Sequence, residues 1–367
     1  MSRIVVKVGS NILAGKKSGL NLERVCAIAS DLSKLLDAGH EVVMVSSGAV
    51  AAGMSKLGLK EKPKEICLKQ AAAAAGQSSL IQAYERCFGE YSRKVAQVLL
   101  TRDDLSGRAR YLNARNTLIT LLEYGIIPII NENDTVATDE IKFGDNDHLA
   151  ALVSGLIDAD RLVILSDVDG LYPEDPKKNK AAKIIPLIDS ITSGIENMAG
   201  GSGSAVGTGG MYSKVLAAKK AVYFGVRVNI INGRKKGLIV SLLSAKQHGT
   251  EFVPQDKKIS SRKGWIAYAV KPKGSIVLDD GAVNALLRSG KSLLPSGIAG
   301  VDGVFDTGDA VFCLSPSGRR IAKGIVNYSS LDIEKIKGKK TTEIEPVLGY
   351  KYSDEVIHRD NLVVLAG

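Results

Sequence analysis

The chain has 367 residues, 45% of them hydrophobic, and a formal net charge of +10, which indicates two or three globular domains and excludes a disordered or fibrous protein. Cys26, Cys67, Cys87 and Cys313 lie singly, so we expect a reduced protein rather than a disulfide scaffold. No apolar stretch approaches the roughly 20 residues of a membrane span, and the first residues are typical of a strand rather than a signal peptide. We therefore expect a cytoplasmic protein without a membrane partner.

Strand and helix patterns alternate as far as about residue 245. The predicted strands are Ile4–Val8, Glu41–Val45, Ile126–Ile130, Leu162–Leu165 and Val226–Ile230. The predicted helices are Leu22–Leu36, Ile66–Phe88, Tyr111–Leu122, His148–Ile157 and Met211–Tyr223. Continuous apolar strands separated by helices predict an α/β fold with a mainly parallel sheet covered on both faces, a three-layer αβα sandwich. Ligands of such sheets bind beyond the carboxyl ends of the strands.

Small residues follow the first two strands. Lys7 would point an ammonium group into the crevice there, and Gly9 would let backbone N–H groups approach an anion. Ser47 and Gly48 precede a helix, whose first N–H groups and dipole favour a carboxylate or a phosphate. Taken alone, a solvated lysine before a turn explains the first motif equally well, and a plain serine N-cap explains the second motif better than an anion site does.

Amide and carboxylate side chains follow the third predicted strand. Asn131 and Asp134 belong to a dense polar cluster, which would cost solvation free energy if it were buried without a function. Asn146 and Asp147 stand at the start of the next helix, where a carboxylate could position ammonium groups, receive an α-amino group or simply cap the helix. An Asx-rich turn is the alternative for the first cluster.

Two further segments suggest nucleotide binding. Ser166 and Asp167 follow a central strand and suit a nucleotide or a metal ion, with a plain turn as the alternative. A glycine-rich stretch leads into a helix that carries Lys214, so its backbone could cradle phosphates while the lysine reaches a phosphoryl oxygen. The spacing differs from GxxxxGK[ST], which disfavours a P-loop ATPase. Two lysines and several carboxylates at one sheet edge are what phosphoryl transfer between two anions needs.

The pattern changes towards the C-terminus. Residues 246–264 are polar and basic and predict a linker between a first domain, 1–245, and a second, 265–367. The second is predicted as a small β-rich domain with glycine-rich turns and a C-terminal segment that has helical stretches.

Seven segments in this order, KVGS, SSGAVAAG, LNARNTL, PIINENDTVA, GDNDHLAA, SDVDGLY and GTGGMYSK, resemble the amino acid kinase family. INENDT, GDND and GTGGM are similar to the members that act on glutamate. Residues 265–350 resemble a PUA domain, a small β-barrel otherwise found in RNA-modifying enzymes. The resemblance covers essentially the whole chain and implies an amino acid kinase fold followed by that barrel-like domain.

The resemblance implies that ATP and L-glutamate react to ADP and γ-glutamyl phosphate, the first step towards proline, with Mg²⁺, often with feedback inhibition by L-proline, and in a homodimer or homotetramer. Its implied catalytic residues are Lys7, Lys214 and Asp147. Its implied substrate-binding residues are Ser47, Gly48, Asn131, Asp134 and Asn146. Its implied ATP-binding residues are Lys7, Ser166, Asp167, Thr208, Gly209, Gly210, Met211, Tyr212, Ser213 and Lys214. Tyr212 is bulkier than the small residue expected there, and no direct Mg²⁺ ligand is assigned.

Two alternatives stay open. One is another acyl-phosphate-forming kinase of the same fold. The other is an RNA-binding protein acting through the PUA-like domain, which the net charge and the basic segment 257–263 favour. Against it, aromatic residues make up only 5% of the chain, and the C-terminal domain shows no dense stripe of Lys and Arg with interleaved aromatics.

Overall fold

The computed structural model describes residues 1–15, 19–61, 63–137, 146–174, 179, 181–200, 210–242, 248–254 and 261–365. The chain divides into two compact units, Met1–Ile259 and Ser260–Gly367. Among the helices of the described ranges, none combines the length and the apolar character that a bilayer crossing requires. The proposed linker 246–264 contains a short strand, Thr250–Phe252, and the start of a helix at Ser261.

Eight strands form one sheet in the first unit. They are β1 Arg3–Val8, β2 Glu41–Ser46, β3 Lys94–Leu100, β4 Ile126–Glu132, β5 Arg161–Ser166, β6 Leu187–Ile188, β7 Arg227–Asn232 and β8 Thr250–Phe252. Their order is β3-β4-β2-β1-β5-β7-β8-β6. All neighbours are parallel except β7 and β8. The predicted mainly parallel sheet is therefore confirmed, with β1 at its centre.

Helices cover both faces of this sheet. The first unit contains α1 Ser10–Leu13, α2 Leu22–Asp37, α3 Ala49–Lys56, α4 Ile66–Gly89, α5 Arg102–Ser106, α6 Arg108–Glu123, α7 Asn146–Leu156, α8 Ser193–Met198, α9 Met211–Tyr223 and α10 Leu238–Ser241. Side chains alternate along a strand: Ile4, Val6 and Val8 of β1 share a core with α2 and α4, whereas Lys7, on the other face, meets α7. This alternation places one lysine of a buried strand among the helices of the opposite layer.

The contact between α3 and α4 brings two helix backbones together. A β-carbon on Gly53 would lie 1.7 Å from the carbonyl oxygen of Ala72, and one on Gly76 would lie 1.8 Å from that of Ala49. No side chain fits at either position, so the two glycines are what lets the helices touch. Helix α3 is thereby held at a fixed distance from the long helix behind it.

All five predicted strands and all five predicted longer helices are present, with ends that differ by at most three residues. The sequence analysis missed the short strands β6 and β8 and also β3, which is one of the two edge strands of the sheet. Lys94 and Gln97 are exposed there and interrupt the apolar run, because an edge strand is covered less completely than a central one.

The second unit is built on a five-stranded sheet. Its strands are β9 Gly274–Leu278, β10 Ile298–Gly303, β11 Ala310–Leu314, β12 Arg320–Ile325 and β13 Leu362–Val364, in the order β10-β9-β11-β12-β13. Its helices are α11 Ser261–Tyr268, α12 Asp280–Ser289, α13 Ser330–Ile336 and α14 Ile344–Leu348. They enclose a separate core that includes Phe305 and Tyr328. The prediction of a small strand-rich second domain is confirmed.

The cysteine prediction is wrong for one pair. Cys26 of α2 and Cys87 of α4 form a disulfide, although 61 positions separate them in the sequence. The packing of α2 against α4 creates this proximity, which the spacing of the cysteines does not reveal. Cys67 and Cys313 are free thiols.

Candidate active site

A cavity of about 440 Å³ opens at the carboxyl ends of β1, β2, β4 and β5. Its walls come from the last residues of these strands and the segments that follow them, from α1 and α3, from the first residue of α7, and from one lysine of α9. The lining residues are Lys7, Gly9, Ser10, Asn11, Ile12, Ala14, Ser47, Gly48, Ala49, Val50, Ala51, Met54, Asn131, Glu132, Asp134, Asn146, Leu165, Ser166, Asp167 and Lys214. The cavity thus lies where ligands of open parallel sheets bind.

Asp147 joins the two lysines. Its Oδ1 lies 2.5 Å from the Lys7 Nζ, and its Oδ2 lies 3.0 Å from the Lys214 Nζ. The Asp147 side chain is fully buried, and the lysine side chains are 4% and 7% exposed. A buried carboxylate is costly unless it is paired, and here two cations share one anion. The group therefore keeps one net positive charge, and both lysines line the cavity.

A second group of contacts connects three of the proposed substrate-binding residues. The Asn146 side-chain amide donates to the Ser47 Oγ and to the Asn131 Oδ1, each at 2.9 Å. The Asn131 Oδ1 also accepts from the backbone N–H of Glu132 at 2.9 Å. Asn146 begins α7, so one helix start supplies both the amide that links β2 to β4 and the carboxylate that links the lysines.

Two glycines shape the backbone at the ends of the neighbouring strands β1 and β2. Gly48 has φ +110°, a conformation that residues with a β-carbon avoid, and it stands immediately before α3. A β-carbon on Gly9 would lie 3.5 Å from the Lys7 Nζ. Both glycines line the cavity, and glycines in such turns allow backbone N–H groups to approach an anion.

The carboxyl end of β5 carries the proposed nucleotide residues Ser166 and Asp167. Both line the cavity, and the Asn11 amide donates to the Asp167 Oδ2 at 3.4 Å. Just beyond, the Asp169 Oδ1 lies 2.7 Å from the Lys235 Nζ and accepts from the Asn232 amide at 2.9 Å. The Lys235 contact is the main cause of the lowered pKa of the Asp169 carboxyl. These contacts tie the ends of β5 and β7 together.

The remaining proposed residues lie at the start of α9. Gly210 precedes the helix, and Met211, Tyr212 and Ser213 form its first turn, outside the lining of the cavity as the described residues define it. Among the described residues of this run, 210–214, Lys214 alone reaches the lining. Thr208 and Gly209 lie outside the described residues, as do Gly144 and Asp145 of the GDND segment.

Several lining residues were not selected from the sequence. Glu132, 9% exposed, and Asn11 line the cavity. Glu132 was visible in principle, since it ends a strand directly after the selected Asn131, and Asn11 lies just beyond the strand that carries the selected Lys7. The buried Tyr84 was not, because it lies in the middle of α4: its hydroxyl is 2.8 Å from the Ser46 Oγ. Burial raises the pKa of this phenol, so the hydroxyl keeps its proton at the end of β2.

A nucleotide-bound Mg²⁺ fits these residues better than a metal held by the protein alone. Within the described ranges, no three His, Cys, Asp or Glu side chains converge on one point. Mg²⁺ keeps waters and is commonly held by substrate phosphates and one or two carboxylates. Asp167, exposed at the rim of the cavity, is the carboxylate placed to serve in this way.

Residues 2–232, more than half of the chain, match the model of the amino acid kinase family, and residues 274–348 match that of the PUA domain. The chain is 53% identical over 364 residues to glutamate 5-kinase from Syntrophotalea carbinolica, covering 99% of this chain and 97% of that protein. It is 53% identical over 365 residues to glutamate 5-kinase from Geobacter sulfurreducens, covering 100% and 98%. Glutamate 5-kinase from Caldanaerobacter subterraneus is 52% identical over 363 residues, with 99% and 98% covered.

Proposed function

The chain belongs to the amino acid kinase family, with a PUA domain after its kinase domain, and on this premise we propose that it transfers the γ-phosphoryl group of ATP to the γ-carboxylate of L-glutamate. The products are ADP and γ-glutamyl phosphate, which starts proline biosynthesis. Full-length identity of about half to glutamate 5-kinases supports the substrate. The single observation that carries the chemistry is the pair of cavity-lining lysines on Asp147.

The barrier to this reaction is electrostatic. A carboxylate is already a nucleophile at neutral pH, so no general base is needed, but one anion must approach another. In this proposal, Lys7 and Lys214 offset that repulsion and hold the transferring phosphoryl group. Asp147 holds both ammonium groups in position before the substrates arrive, which is what makes such donors effective. When bound with ATP, Mg²⁺ supplies further neutralisation of the phosphate charge.

The two substrates are assigned to opposite sides of the lysine pair. Ser47, Gly48, Asn131, Asp134 and Asn146 surround the part of the cavity proposed for glutamate. Ser166, Asp167 and the start of α9 flank the part proposed for ATP. The γ-carboxylate and the γ-phosphate would then meet at Lys7 and Lys214, between the two groups.

Further parts of the proposal concern partners and location. We place the enzyme in the cytoplasm, where ATP and glutamate are present, as a homodimer or homotetramer. L-proline is the proposed feedback inhibitor. Each of these rests on family resemblance, and each is open to direct measurement by fractionation, light scattering and inhibition kinetics.

The test is a substrate panel. ADP release is measured with ATP and Mg²⁺ against L-glutamate, N-acetyl-L-glutamate, L-aspartate, UMP and carbamate, with hydroxylamine present to trap an acyl phosphate. We expect turnover with L-glutamate and formation of the γ-hydroxamate. Turnover with another member of the panel would leave the proposed role of the lysine pair unchanged. It would mean that the pocket assigned to glutamate binds that other substrate instead. No turnover with any member would overturn the proposal and favour RNA binding by the PUA domain.

A further inference from the structure

The disulfide between Cys26 and Cys87 lies outside the proposed active site. Its two Cα atoms are 4.8 Å apart, within the range that a disulfide spans. The bond joins α2 to the C-terminal part of α4, and the phosphoryl transfer proposed above uses neither sulfur. It therefore calls for an explanation of its own.

The two cysteines differ in exposure. Cys87 is 0% exposed, whereas Cys26 is half-buried and lines an open groove of about 480 Å³. Glu23 and Asp31 on this groove are balanced by Lys34 and Lys236. A small reagent can thus reach Cys26 but not Cys87, and the groove has no excess of charge of either sign to repel it.

We propose that the Cys26–Cys87 pair is a reversible redox modification site, opened by small thiols and closed by small disulfides of the glutathione class. A thiolate from the groove attacks the Cys26 Sγ, the bond between the two protein sulfurs breaks, and Cys87 leaves as a thiolate that takes up a proton. The first step leaves a mixed disulfide between the reagent and Cys26. A second thiolate then attacks the reagent's sulfur in this bond and releases Cys26 as a thiolate, which takes up a proton. In sum, two thiols become one disulfide while the protein gains two electrons and two protons, and oxidation is the reverse.

The position of the bond gives it a structural consequence. Cys87 lies three residues after Tyr84 on α4, and Tyr84 contacts Ser46 at the end of β2. The next residue, Ser47, lines the cavity. The bond thus fixes the helix segment that supports this strand end, and its loss should loosen the first unit.

The first experiment uses the full-length chain with Cys67→Ser, which removes the exposed thiol. After incubation with oxidised glutathione, we expect peptide mapping to show Cys26 linked to Cys87, and dithiothreitol to lower the Tm of the first unit by about 5–15 °C. Re-oxidation should restore it. Free thiols at both positions after oxidation, or an unchanged Tm on reduction, would overturn the proposal.

The second experiment compares the two sulfurs in the same background. In Cys87→Ala, oxidised glutathione should modify Cys26, whereas in Cys26→Ala the buried Cys87 should stay unmodified under native conditions. If either variant fails to fold, the mixed disulfide is instead trapped by acid quenching during partial reduction of the chain that keeps both cysteines. We expect glutathione on Cys26 there as well; glutathione on Cys87 would refute the assigned direction of attack.

Discussion

Asp147 binds two ammonium groups that come from different layers of the fold, one from the central strand and one from α9. Either lysine can be removed without leaving the carboxylate unpaired, so each can be tested separately. The pair also explains why Lys7 can lie in a strand whose other buried residues are apolar: its charge is compensated by Asp147 at 2.5 Å.

We expect Lys7→Met to lower kcat for hydroxamate formation by roughly 10²–10³, as loss of a preorganised donor does elsewhere. Asp147 keeps Lys214, so the fold should survive, which the Tm checks. Lys219→Met is the matched control, because Lys219 lies on α9 but is exposed and pairs with Glu196. A near-normal kcat in Lys7→Met would remove the lysine from the proposed chemistry.

Asp134 tests the assignment of the glutamate side of the cavity. We expect Asp134→Ala to raise the KM for glutamate more than the KM for ATP, since Asp134 follows β4, which β2 and β1 separate from β5 and its Ser166. Steady-state kinetics with each substrate varied in turn measure both constants. Equal changes in the two would exclude Asp134 from the glutamate pocket.

Lys220 should give the first unit a pH dependence. Burial, and to a smaller extent the charge of Arg102, lowers the pKa of Lys220 to about 8 from an ordinary 10.5. Below pH 8 the Lys220 amine is charged in both the folded and the unfolded chain. Burying this charge then lowers the free energy of unfolding. Between pH 8 and 10.5 the unfolded chain binds more protons, so this cost is relieved as the pH rises.

We therefore expect the Tm of Lys220→Met minus that of the unchanged chain to be largest near pH 7 and to fall towards pH 10.5. Lys219→Met, at the neighbouring exposed position, should show no such trend. Thermal unfolding at a series of pH values measures both differences. A difference that grows with pH would contradict the lowered pKa.

At the scale of elements, the sequence analysis selected several, though not all, of the cavity-lining residues at strand ends and helix starts. Lys7, Ser47 and Asp134 could be selected because strand ends converge in a parallel sheet. It could not predict which residues meet across elements. Helix packing determines the distance from Lys214 to Asp147, the contact of Tyr84 with Ser46 and the Cys26–Cys87 bond. Such packing leaves no pattern in the local sequence.

The close contact between α3 and α4 can be tested directly by mutation. Gly76→Ala would place a β-carbon 1.8 Å from a backbone oxygen that cannot move alone. We expect the free energy of unfolding to fall by about 1–3 kcal/mol or more, measured by urea unfolding, with a raised KM for glutamate because α3 lines the cavity.

Gly89→Ala, at the end of the same helix, is the control for this substitution. Nothing lies within 4 Å of a β-carbon there, and alanine is the better helix former by up to about 1 kcal/mol. We expect no loss of stability in this variant. Equal destabilisation by the two substitutions would mean that the helix crossing is not tight.

At the scale of the whole molecule, all proposed active-site residues fall in the first unit, Met1–Ile259. Because none of these residues lies in the second unit, we expect a chain of residues 1–259 to keep glutamate-dependent ADP release within about tenfold of the full-length chain. Tenfold corresponds to a rise of about 1.4 kcal/mol in the activation free energy. Circular dichroism would establish that the shortened chain is folded. A folded but inactive 1–259 would show that the second unit is needed for catalysis.

The glycine contact behind α3 also bears on how acceptor length could be altered. Since the α3 and α4 backbones already touch at Gly53 and Gly76, the helix cannot retreat to make room for a longer acid. Along that wall the cavity is otherwise bordered by Ala49, Val50 and Ala51, and Met54 is its one long side chain. Redesign for a longer dicarboxylate would therefore have to start by shortening Met54, because the depth of the wall itself is set by two main chains.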